Sequence, residues 1–60
     1  MTSGAFEYFI LRCLALGMKP RTIASVLNYS ESTIRLRIAV VRQRYHVNTT
    51  RALMRALLGE

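Results

Sequence analysis

Arginine is the residue type with the most chemistry to offer in this chain. Eight arginines and one lysine stand against three glutamates in 60 residues, for a formal net charge of +6. A guanidinium presents a planar fork of donors that fits both phosphate oxygens and the edge of guanine, so a polyanion is the first partner to expect. The cations are set singly among apolar residues, as charges on folded helices are, and do not form the block of a disordered basic arm. Other chemistries have less to stand on. Cys13 is the single cysteine, which excludes an internal disulfide, and with His46 and three scattered glutamates it supplies no zinc-ligand spacing. Glu7, Glu31 and Glu60 are too dispersed to read as a carboxylate pair, and His46 has no nucleophile near it in sequence. The expectation is a non-enzyme with no catalytic residue, no metal and no cofactor.

The elements that must carry these arginines are constrained by size. Sixty residues lie close to the lower limit for a single hydrophobic core without disulfides or metal, so one domain over 1–60 is the ceiling. With 52% apolar residues the chain has enough to bury and too much for a disordered tail. No apolar run approaches the ~20 residues of a membrane span. Glu7 stands where a secretory leader favours Lys or Arg, so the expected location is cytoplasmic.

Periodicity divides the chain into four helices. Phe6, Phe9, Ile10, Cys13 and Leu14 recur at helical spacing, with Thr2 or Ser3 as a candidate cap and Gly17 as the stop. Lys19-Pro20 opens a second, short helix, because proline is tolerated in a first turn, and Ile23, Ala24, Val26 and Leu27 supply its buried face. Asn28-Tyr29-Ser30 reads as a tight turn, with Ser30 as the next N-cap and Glu31 favouring the positive end of that helix. From Ser30 to about Tyr45 nothing interrupts a third helix, whose core stripe is Ile34, Ile38, Val41 and Tyr45. Turning about 100° per residue places Ser32, Arg35, Leu36, Ala39 and Gln43 opposite that stripe, flanked by Arg42 on one edge and Arg37 and Arg44 on the other. Val47 is expected to plug the core, and Asn48-Thr49-Thr50 to cap a last helix containing Leu53, Met54, Leu57 and Leu58. Those four residues exceed what one core face of a short helix needs, which suggests a partner for the remainder.

A short helix, a turn and a longer helix with a basic outward face is a helix-turn-helix arrangement. The residue order sharpens it. Gly17-Met18, Ile23-Ala24 and Leu27 lead into Ser30-Glu31-Ser32-Thr33-Ile34-Arg35, followed by Ile38, Val41 and Tyr45, by Val47, and by Asn48-Thr49-Thr50-Arg51-Ala52. This series resembles the DNA-binding domain of the LuxR (GerE-like) family of bacterial regulators, where a Ser-Glu-x-Thr-Val-Lys-like run begins the recognition helix. The resemblance covers roughly the whole chain, although Phe6 and Phe9 stand where the family commonly carries charge and are expected to pack on a partner subunit or a further domain.

The resemblance implies an all-α, four-helix LuxR-type domain, with a tri-helical core plus a C-terminal dimerisation helix, that binds double-stranded DNA in the bacterial nucleoid. It places Arg35, Leu36 and Ala39 at base-facing positions. Phosphate contacts are then expected from Arg21, Ser30, Ser32, Thr33, Arg42, Arg44 and Thr50, helped by backbone amides at helix starts. Leu53, Met54, Leu57 and Leu58 would form the homodimer interface, which predicts an inverted-repeat site. Two rivals come from other classes: a protein-interaction module that docks on another regulator or on RNA polymerase, and a basic amphipathic membrane-active peptide. The second is disfavoured by the Gly17 and Asn28 breaks and the Ser30 cap, which specify a folded globule.

Overall fold

A computed structural model describes residues 3–59. Thr2, a candidate cap of the first helix, and Glu60 lie outside the described residues. The chain forms α1 (Ser3–Ala15), α2 (Pro20–Leu27), α3 (Glu31–Arg44) and α4 (Thr50–Leu58), with no strand among the described residues.

Each boundary has a local cause. The α1 chain stops at Gly17, in the left-handed region at φ 86°, where the Gly17 amide bonds the Leu14 carbonyl and the Met18 amide reaches Cys13. This is the paired closure by which helices turn out of their last turn. The end of α2 repeats it at Asn28 (φ 62°), with Tyr29 reaching the Ala24 carbonyl, and the end of α3 repeats it at His46 (φ 57°), with Val47 reaching Arg42. Pro20 occupies the first position of α2, where a missing amide hydrogen costs nothing. The Ser30 hydroxyl accepts the Thr33 amide at 3.1 Å to open α3, and the Thr49 hydroxyl accepts the Ala52 amide at 3.0 Å to open α4.

α3 packs against all three other helices, most extensively against α2. The buried core joins Ile10 and Leu14 of α1, Ile23 and Ala24 of α2, Ile34, Ile38 and Val41 of α3, and Leu53 of α4. Phe6, Leu11, Cys13, Met18, Leu27 and Met54 pack around it half-buried. Two residues expected in the core are outside it. Val26 is 61% exposed, because the buried face of α2 is centred between Ile23, Ala24 and Leu27 and Val26 is turned about 100° off Leu27. Tyr45 is exposed at the C-cap of α3: its amide still completes the helical bond to the Val41 carbonyl, but the helix ends there and the chain turns away at His46 (φ 57°).

Phe6 finds its neighbour within the fold. Its ring lies 4.6 Å from that of Tyr29, centroid to centroid, so it needs no partner subunit. Phe9 is exposed and sits against the ring of Tyr8 instead.

Candidate nucleic-acid interface

The Ser30 cap fixes where α3 begins and therefore which side chains share its outward face. Ser30 and Ser32 are exposed at that end, their hydroxyls 3.3 Å apart, and the Ser30 hydroxyl also donates to that of Thr33 at 2.8 Å. One turn along, Arg35 closes onto Glu31: Nε and Nη2 of Arg35 both lie 2.7 Å from Oε2 of Glu31. Arg21, projecting from α2, brings its Nε to 3.6 Å from Oε1 of the same carboxylate. The Arg35 hydrogen bond, reinforced by the charges of Arg35 and Arg21, holds the Glu31 carboxyl below the usual carboxylate range.

Arg35 stands between two clefts. One is lined by Lys19, Arg21, Thr22 and Glu31 along the start of α2, and the other by Pro20, Ile38, Arg42 and Thr50, where the starts of α2 and α4 meet α3. Arg42 is steadied there by donating to the Asn48 carbonyl at 3.3 Å, which ties α3 to the loop before α4. Both first turns point free amide hydrogens and the positive end of a helix dipole outward, adding to the positive character of the guanidinium groups. Beyond this edge Leu36 is 65% exposed, Gln43 is exposed, and Ala39 is half-buried.

Arg21, Arg35, Arg42 and Thr50 are thus brought to adjoining clefts, while Ser30 and Ser32 stand exposed at the head of α3. Arg44 is the departure from the expected set. It lies on the other flank, where Nη1 and Nη2 make a two-pronged contact with Glu7 of α1 at 2.8 and 3.0 Å. That hydrogen bond, with the charge of Arg44, pulls the Glu7 carboxyl below its usual range. Arg37, on the same flank, lies over the Phe6 ring at 5.6 Å. One edge of α3 therefore carries its arginines beside the open clefts, and the other spends them holding α1.

Sequence reasoning did not single out Lys19 and Thr22, which line the first cleft. A basic residue and a threonine flanking a helix-opening proline were the available signal.

Among the expected interface residues of α4, Leu53 is fully buried at 0% exposure and belongs to the core, so it is removed from that set. Met54 and Leu57 are half-buried and Leu58 is 59% exposed. These three combine with Tyr8, Leu11, Arg12 and Ala15 of α1 to line an almost wholly apolar groove. Among the described residues no three His, Cys, Asp or Glu side chains come together as a metal would require, and no helix is long and apolar enough to cross a membrane.

No family model matches the chain, and neither a curated protein nor a solved structure matches it.

Proposed function

We propose that this chain binds double-stranded DNA sequence-specifically, with the outward face of α3 in the major groove, as or within a bacterial transcription regulator. The observation that carries the reading is the gathering of Arg21, Arg35 and Arg42 along one edge of α3, beside an exposed Leu36. The major groove, about 12 Å wide, admits one α-helix. In that pose Arg35 bonds O6 and N7 of guanine, Leu36 meets a thymine methyl, and Ala39 lets the helix approach a third base closely. Arg21, Arg42, Ser30, Ser32, Thr33 and Thr50 hold phosphates and so fix register and affinity without reading sequence. Arg44 retains its contact with Glu7.

The groove-lining residues of α4 support a homodimer through Met54, Leu57 and Leu58, which sets two recognition helices about one turn of DNA apart on an inverted repeat. The same apolar groove favours a second reading, in which the domain docks on another regulator or on RNA polymerase.

Anisotropy titration against random duplexes at two salt concentrations, followed by sequencing of the bound fraction, tests the proposal. Binding that weakens steeply with salt and enriches an inverted repeat is expected. Arg35→Ala is expected to lose about 1 to 3 kcal/mol of discrimination at one base pair. Arg42→Ala weakens binding to every sequence and lowers the salt slope by about one. Absence of binding at low salt overturns the reading in favour of a protein partner.

A further inference from the structure

Glu31 is out of place on a surface meant for phosphate. It is one of two carboxylates among the described residues, it lies in the first turn of α3, and it lines the same cleft as Lys19, Arg21 and Arg35. A negative charge there repels the nucleic-acid backbone. An exposed ion pair and a first-turn carboxylate at the positive end of a helix each contribute little to stability, so stability alone gives it weak reason to be there.

The geometry of the pair offers another. A guanidinium has two edges that can form parallel hydrogen bonds: the side edge, Nε with Nη2, and the end edge, Nη1 with Nη2. Both atoms of the side edge of Arg35 lie on Oε2 of Glu31, which engages one hydrogen of Nη2; on the end edge Nη1 has no protein partner among the described residues, and the second hydrogen of Nη2 points along with it. Arg21 approaches the other carboxylate oxygen from α2, so the carboxylate is braced from a second helix. An unrestrained arginine samples many rotamers and meets phosphate and base alike. One held by its side edge can offer only its end edge, which matches O6 and N7 of guanine.

We propose that Glu31 is a positioning residue for base recognition: it clamps the side edge of Arg35 so that the end edge is presented to a guanine, and its charge simultaneously weakens binding to DNA at large. This rests on the DNA-binding reading above. On the free protein the pair is exposed to water; in the groove, with water displaced, the charge-assisted bonds strengthen and the clamp tightens.

The test uses the full chain and the duplex selected by the wild-type protein, compared with versions changed at each base pair in turn and with random duplex. Glu31→Gln keeps the shape and removes the charge. Selectivity at one G·C pair is expected to fall about tenfold, within the range of a two-bond arginine contact, while affinity for random duplex rises. Glu31→Asp keeps the charge but shortens the reach, and is expected to lose the selectivity without the rise. In an Arg35→Ala background, Glu31→Gln should change selectivity no further. A circular-dichroism melt of each variant confirms that it is folded. Unchanged selectivity of Glu31→Gln, with a selective wild type, overturns this inference alone. So does a loss that persists without Arg35, which would mean that Glu31 touches a base itself. A wild type that binds without selectivity overturns both the inference and the reading beneath it.

Discussion

Two glutamates in this protein make the same kind of bond to different ends. Glu31 pairs with Arg35 four residues away on one helix, a spacing that can be seen in the sequence. Glu7 pairs with Arg44 across 37 residues, a contact that exists only once α1 has been laid against the end of α3. The first was therefore readable and the second was not, and Arg44 looked like one more surface cation free for phosphate. The Glu7 side chain is only 11% exposed, so its pair is the better shielded of the two. Its pKa is lowered in the folded state, chiefly by the Arg44 hydrogen bond, so folding exchanges no proton at neutral pH but releases one in acid, where the unfolded carboxyl is protonated first. The stability it contributes is fully present above the unfolded glutamate value of about 4.3 and is lost as pH falls from there through the lowered folded value. Urea titrations across this window should show the wild type losing stability toward acid and Arg44→Ala losing less. Identical pH profiles would show that the pair contributes nothing.

At the scale of the helix, the fold is punctuated by left-handed endings at Gly17, Asn28, His46 and Gly59, one after each helix. Gly17 and Asn28 announced themselves, because glycine and asparagine are the residues that tolerate a left-handed backbone. His46 did not. A histidine is a weaker signal of that backbone than glycine or asparagine, and its placement comes from Val47 turning back into the fold, half-buried, with its amide on the Arg42 carbonyl. Relieving the left-handed strain with His46→Gly is expected to stabilise by about 0.5 to 1 kcal/mol, and Asn28→Gly by less, measured as a rise in the urea midpoint. Ser30→Ala, which strips the cap of α3, should cost about 1 kcal/mol. Helix boundaries were legible because caps and stops are local chemistry. The assignments of Val26 and Tyr45 to the core failed because burial depends on where the neighbouring helix lies and where the backbone stops turning, which periodicity alone does not record.

Across the whole molecule, α3 is both the centre of the core and the bearer of the proposed reading face, so its inner stripe and its outer edge are rigidly related. The all-helical architecture and the four segments could be read in advance, since apolar spacing is the strongest signal a chain carries. The apolar groove between α1 and α4 could not, because its walls come from residues more than forty positions apart, such as Tyr8 and Leu58. Leu53 belongs to the same lesson, being one of four apolar residues in α4 of which only the fold decides the inner one. Leu53→Ala should cost about 2 to 5 kcal/mol, enough to unfold most of so small a domain, whereas Leu58→Ala should leave the melt unchanged and weaken any self-association seen by sedimentation.

The Glu7 to Arg44 bridge also bears on the order of events in time. α2 and α3 are adjacent in sequence and pack most closely, so their contacts close short loops and suit an early step of folding. The bridge must await the arrival of α1 at the far end of α3. Stopped-flow measurements should therefore find that Arg44→Ala leaves the refolding rate alone and hastens unfolding, while Ile23→Val slows refolding. A contact made last is the first to open, and the tie between α1 and the end of α3 would then set how long the native state lives more than how quickly it forms.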